Sequence, residues 1–455
     1  MLVIVITDDL CRLPTRLALD LEFFLLLAAN QSAITRIYLA RLGLTLPTAL
    51  STTALNTNFF KSLKLLTIPG DVRSSDTDEL ASCGRLIEQS KNLTGLQITV
   101  GDIDGVDDDD DILDDKENSD GLLIKSLFGH VAPYGTSAPL LLEVLLLSQV
   151  ELNYAPRTFM RVIKFTNLHT LVLQSCSGSH ALLKALKLLF ETDGTSLHSF
   201  DYQGAAIQPE IMEGFLSSFT GLRSLKCYYC DDDQIDLPRL SCIKGHCSTL
   251  KRLGLDNFNE DRHGRLIYKP LAVEDAEMLG QDFLELREVA VVSPPLGFVH
   301  ERLLEWGDAG AFFDALSRMP RLRLLRITNW PTVFKGFFSY HDVEKSVRKA
   351  IKELNRRRYA DVMGEIATAI LRRIAESSDK HLPSQLPLIC LGRASRFDRV
   401  CDEHSRFSMK ATTQYYIPSS HADAFGGSRL VATPIEETHA KYSGLIEGPY
   451  ATKIA

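Results

Sequence analysis

Apolar positions recur along the chain in one triplet: apolar, two variable, apolar, one variable, apolar. Copies fall at Ile34, Ile37, Leu39; Leu63, Leu66, Ile68; Leu93, Leu96, Ile98; Leu142, Leu145, Leu147; and Leu168, Leu171, Leu173. They continue at Leu197, Phe200, Tyr202; Leu222, Leu225, Cys227; Leu250, Leu253, Leu255; Leu286, Val289, Val291; and Leu322, Leu325, Ile327. The starts are 29, 30, 49, 26, 29, 25, 28, 36 and 36 residues apart. One such triplet is weak, because any amphipathic segment produces it by chance. Ten copies at near-regular spacing point to a repeat array. Alternation at the last two apolar positions has the period of a strand. Between triplets the spacing turns helical: Leu182, Leu186 and Leu189 within His180–Phe190; Ile211, Phe215 and Phe219 within Glu210–Phe219; Phe312, Leu316 and Met319 within Ala311–Met319. Each strand–helix unit exposes an apolar face that only its neighbour can cover. The pattern therefore predicts an α/β solenoid over residues 31–335, with a curved parallel sheet, outer helices and about ten units.

The triplets extend to Leu168-x-x-Leu171-x-Leu173-x-x-Cys176 and Leu222-x-x-Leu225-x-Cys227-x-x-Cys230. In this the chain resembles the leucine-rich-repeat family, and most closely its ribonuclease-inhibitor and F-box-associated subclasses. The resemblance covers roughly residues 30–335. It implies a protein-binding role on the concave strand face, with the F-box likeness adding a Skp-type adaptor and a cullin as partners. Leu13-Pro14 matches the start of an F-box. The first triplet nevertheless begins at Ile34 and the first Trp is Trp306, so a complete box is not expected.

The rest of the chain divides by composition. Residues 1–30 read as an N-terminal cap. Residues 102–120 carry ten Asp, one Glu and one Lys, a net of −10, inside the longest interval between triplets. A block of like charge repels itself and buries nothing, so it reads as a disordered insert. No window of it has the alternating acidic ligands, Gly and terminal Glu of an EF-hand. Since the whole chain is −8, the remainder is +2. That lacks the basic excess of a nucleic-acid binder. Residues 341–378 form an amphipathic basic helical region. Val343, Val347, Ile351, Leu354, Val362, Ile366, Ile370 and Ile374 mark one long helix or two broken at Gly364, with nine basic and three acidic residues from Lys345 to Arg373. Its basic cluster, Lys352, Arg356, Arg357 and Arg358, reads as the polar cover of a terminal repeat. Residues 380–455 read as an irregular, partly disordered tail, with Tyr415, Tyr416 and Ile417 in an edge strand.

Nine cysteines in an odd set, with no dense even spacing, read as free thiols. The N-terminus lacks a signal-peptide pattern and no apolar run reaches membrane length. A cytoplasmic or nuclear location without membrane attachment is expected, and the sequons at Asn30 and Asn92 read as accidental. Cys227, Cys230, Cys242, His246 and Cys247 have soft-ligand chemistry. The repeat already accounts for Cys227 and Cys230, so no metal is expected. Cys401-Asp402-Glu403-His404 reads as a polar loop, since adjacent residues rarely converge on one reacting atom. No nucleophile elbow, zinc-protease, phosphate-loop or dinucleotide motif is present, and neither an enzyme nor a cofactor is expected.

The variable strand positions should form the exposed face: Arg36, Tyr38, Thr67, Gln97, Leu146, Val172, Gln174, Asp201, Gln203 and, later, Lys226, Tyr228, Arg252, Asp256, Glu288, Arg326 and Thr328. Charged and aromatic types concentrate in the later set, and Arg and Tyr most often anchor interfaces. Lys226, Tyr228, Arg252, Asp256, Glu288 and Arg326 are therefore the expected partner-binding residues. Two functions follow: the substrate-recognition part of an F-box-type ubiquitin ligase, or a repeat scaffold or regulator, for example of a small GTPase, without ubiquitin chemistry.

Overall fold

The computed structural model describes residues 3–5, 36–38, 64–68, 84, 87, 90, 92–99, 127–128, 139–153, 156–205, 207–230, 237–260, 266–295, 297–299, 303–329, 345–378, 385–392, 398–401, 408–411, 414–422 and 428–435. The acidic insert, most of the N-terminal cap and Asp402, Glu403 and His404 lie outside them. The chain forms two compact units, Met1–Gly221 and Leu222–Ala455.

In the first unit seven strands pair in chain order: β1 (Val3–Val5), β2 (Arg36–Tyr38), β3 (Leu65–Ile68), β4 (Gly95–Thr99), β5 (Val144–Ser148), β6 (Thr170–Gln174) and β7 (Ser199–Gly204). Every pairing among them whose register is defined is parallel. Parallel neighbours need a crossover, and helices α1 (Pro156–Val162) and α2 (Ser179–Asp193) supply it for β5 to β6 and β6 to β7, with α3 (Pro209–Ser217) following β7. The register matches triplet to triplet. Leu96 faces Leu145, Leu145 faces Leu171, and Leu171 faces Phe200. The first two apolar positions, Leu142 and Leu145 or Leu168 and Leu171, are fully buried. Ahead of each strand two successive amides share one carbonyl of the preceding strand. His169 and Thr170 donate to Glu143, and His198 and Ser199 donate to His169. The crossover interior is aromatic: Phe200 and Phe215 lie 5.0 Å apart, and Phe190 and Phe219 pack on the same group. α2 starts at Gly178 with φ +69°, where a Cβ would strike the Asn153 backbone, so glycine is required there.

The second unit continues the α/β pattern with an open, mostly parallel sheet. β8 (Ser224–Cys230), β9 (Arg252–Glu260), β11 (Glu288–Val291), β14 (Leu324–Ile327) and β15 (Leu388–Leu391) are parallel neighbours in that order, and β10 (Leu266–Tyr268) pairs antiparallel with β9. Two short hairpins, β12 (Gly297–Val299) with β13 (Leu303–Glu305) and β16 (Asp398–Cys401) with β17 (Ser408–Ala411), stand outside the sheet. An antiparallel pair, β18 (Gln414–Ala422) and β19 (Ser428–Ile435), completes it. Helices α4 (Val273–Asp282), α5 (Gly307–Ser317) and α6 (Lys345–Glu376) form the second layer.

One expectation is corrected here, and one pair of alternatives is decided. The segment 380–455 is not wholly irregular. Leu386, Ile389 and Leu391 repeat the triplet after the long helix, and all three are buried. β15 then pairs in register with β14, Leu325 facing Ile389 and Ile327 facing Leu391. The tail's antiparallel strands follow because Tyr415 and Tyr416 alternate across the sheet and are both buried. The basic helical region is one helix, Lys345–Glu376, without a break at Gly364. A glycine inside a helix costs only about 1 kcal/mol, which packing of Met363, Ile366, Ile370, Leu371 and Ile374 exceeds. A Cβ at Gly364 would make only an ordinary contact with the Tyr416 ring, at 3.7 Å.

Candidate binding face of the second unit

Strand alternation sends Leu225, Leu253, Val289, Leu325 and Ile389 to one side of the second unit's sheet, where all are buried. The residues between them go to the other side. The register arranges these into rows. Ser224, Arg252, Glu288, Leu324 and Leu388 form one. Lys226, Gly254, Ala290, Arg326, Cys390 and Tyr415 form the next. Tyr228 pairs with Asp256 in a third.

All six expected partner-binding residues therefore share this face, but they differ in access. Arg252 is exposed and its Nε donates to Glu288 Oε1 at 3.2 Å, with side-chain exposures of 55% and 21%. Burial pushes the Glu288 carboxyl above its ordinary range, while Arg252, Lys226 and Arg326 pull it back down. Lys226 and Tyr228 are half-buried. Asp256 and Arg326 are not exposed as expected: they are 3% and 5% accessible. Thr328 is also buried. For Arg326 the reason lies in the strands added by the tail. Cys390 stands beside Arg326 and Tyr415 beside Cys390, so Arg326 is no longer near an edge. Its guanidinium carbon sits 5.9 Å from the Tyr415 ring centroid and it donates a hydrogen bond to the Tyr415 hydroxyl. Leu324, Leu388, Cys390 and Tyr415 make an apolar cluster next to it, with Ile417 and Ile435 packed against them.

Gly254, Ala290, Cys390 and Tyr415 belong to the face and were missed from sequence. Gly254 and Ala290 hold the same triplet position as Lys226 and Arg326, but their small size hid them. Gly254 makes room for Tyr228, whose hydroxyl lies 2.6 Å from where a Cβ would stand.

The earlier face residues behave differently. The side chains of Arg36, Tyr38 and Thr67 lie outside the described residues. Leu146, Val172 and Asp201 are buried, not solvated. They follow Gln97 in one cross-strand row, and neighbours about 4.8 Å apart cover one another.

The soft-ligand cluster has other roles. Cys227 is fully buried, and His246 Nδ1 accepts the Leu222 N–H at 3.2 Å. The Cys230 side chain lies outside the described residues, and Cys242 and Cys247 are half-buried and in no disulfide among the described residues. Among the described residues no group of three or more His, Cys, Asp or Glu is placed to hold a metal ion. Cys176, the expected ladder cysteine, directs its thiol at the Leu147 and Gln174 carbonyls, both at 3.4 Å, and burial pushes its pKa up to about 11. The basic helix is tied down at its end. Arg372 donates to the Leu430 carbonyl, and Arg373 Nε donates to Asp314 Oδ1 at 2.7 Å. Of its four-residue basic cluster only the Arg357 side chain is described, and it is exposed. No helix among the described residues is long and apolar enough to cross a membrane.

No family model matches this chain, and no curated protein sequence matches it.

Proposed function

We propose that the chain is a leucine-rich-repeat solenoid that binds a protein partner and catalyses no reaction. The observation that carries this is the shared face of the second unit. Arg252, Glu288, Lys226 and Tyr228 stand together on the side of the sheet away from the buried leucines, each set by register rather than by a loop. A surface on paired strands is preformed, which lowers the ordering cost of association. Its aromatic and Arg content is the composition of interface anchors.

The F-box likeness makes substrate recognition within a ubiquitin ligase the first role to test. Tagged full-length chain and its Tyr228→Ala/Arg252→Ala variant would be purified from cells and their companions identified by mass spectrometry. A Skp-type adaptor and a cullin with the wild type support the ligase role. A different specific protein without them supports a scaffold or regulator. The double variant should weaken partner binding at least about tenfold, about 1.4 kcal/mol. Unchanged capture by a folded double variant would remove this face from consideration.

A further inference from the structure

Among the described residues, the second unit's face holds a buried cation whose hydrogen bonding is incomplete. Arg326 is 5% accessible, and its Nη1 is buried with no hydrogen-bond partner among the described residues. A guanidinium carries five N–H donors and no acceptor, and a buried donor left unmade is costly. The Tyr415 ring and hydroxyl satisfy part of the group. Glu288, the nearest carboxylate in the register, is committed to Arg252. Two residues further on, just past the end of β14, the Thr328 hydroxyl is also buried with no partner among the described residues. Beside Arg326 the row is floored by small residues. Ala290 stands directly opposite in register and is half-buried, and Gly254 follows it.

We propose that Arg326 is the seat of a carboxylate supplied by an acidic segment of a protein partner, an Asp or Glu side chain entering over Ala290. The assignment rests on the protein-binding reading above. A carboxylate matches the guanidinium fork and makes charge-assisted hydrogen bonds about twice as strong as neutral ones. A Lys or Arg entering over Ala290 would instead meet Arg326 and Lys226 in the same row, with Glu288 already paired to Arg252. The half-exposed Tyr228 lies over Gly254 and is the side chain that moves to admit the group. Rotamer changes of this size are common when interfaces form.

The test uses full-length chain and a fluorescent oligoglutamate peptide, with oligoglutamine of equal length as control, followed by anisotropy. Oligoglutamate should bind, and oligoglutamine at least about tenfold more weakly. Arg326→Gln should lose at least about tenfold in affinity. Arg357→Gln, which removes the same charge from an exposed position of α6, should lose nothing. Ala290→Glu supplies the missing carboxylate from within the chain, so it should raise Tm and abolish oligoglutamate binding. That variant keeps the test open should Arg326→Gln fail to fold. Equal binding of the two peptides, equal loss in Arg357→Gln, or wild-type binding by Ala290→Glu would each overturn the assignment. A protein partner that depends on Tyr228 and Arg252 but is indifferent to Arg326→Gln would leave the proposed function standing and end the carboxylate seat. Oligoglutamate binding that requires Arg326, with no protein captured through the face, would do the reverse.

Discussion

At the scale of single residues, the face is governed by what a neighbour leaves room for. A Cβ at Gly254 would stand 2.6 Å from the Tyr228 hydroxyl, the far end of a movable side chain. Gly254→Ala should therefore change stability by less than about 1 kcal/mol while displacing Tyr228 and costing about 1 kcal/mol of partner binding. Denaturant unfolding and titration against the captured partner separate the two; unchanged binding would mean that Tyr228 is not an anchor. Glu288 offers a pH test. Its folded-state value is raised, chiefly by burial, so folding favours the protonated form. Its contribution is present below the ordinary carboxylate value and is lost as pH rises through the raised value. As pH rises from the ordinary carboxylate value through the raised one, wild type should lose stability relative to Glu288→Gln. A difference independent of pH, or of opposite sign, would show that the Arg252 contact outweighs burial.

At the scale of elements, amphipathic spacing located α2, α3, α5 and α6 to within a few residues and missed α1 and α4. Ser179–Asp193, Pro209–Ser217 and Gly307–Ser317 contain or overlap the expected segments. What spacing could not show is how closely two elements approach. α4 and α5 meet so tightly at Gly280 that a Cβ there would fall on the Ala315 carbonyl oxygen. Gly280→Ala sets two effects against each other. Helix propensity favours alanine by about 1 kcal/mol, while overpacking costs about 1–3 kcal/mol. Backbone cannot swing aside as a side-chain end can, so packing should win and Tm should fall. A rise in Tm would place the two helices further apart than described.

At the scale of the whole molecule, residues 385–392, 414–422 and 428–435 are part of the fold of the second unit. β15 pairs with β14, and β18 and β19 pack against α6. Ending the chain at Asp379 would uncover the edge of β14 and the side of α6 that packs on β15, β18 and β19, and would delete the buried Ile389, Leu391, Tyr415 and Tyr416. At about 1.5–3 kcal/mol per large buried side chain, the loss should exceed about 5 kcal/mol. Calorimetry of the shortened chain would check it. A melting transition matching that of the full chain would mean that the tail contributes nothing.

The periodic part of this structure was written in the chain. Triplet spacing determined which residues pair across strands and which turn inward, because a period of two leaves no choice of side once one leucine is buried. The final triplet at Leu386, Ile389 and Leu391 was equally legible, but the long helix before it broke the spacing and concealed it. The six face residues could be assigned to one side from alternation alone. Their accessibility could not. Arg326 and Asp256 are buried by residues distant in sequence, and Gly254 and Ala290 matter through the space they leave. Burial is a property of all neighbours together, and only the tertiary structure brings Tyr415 of the tail beside Arg326.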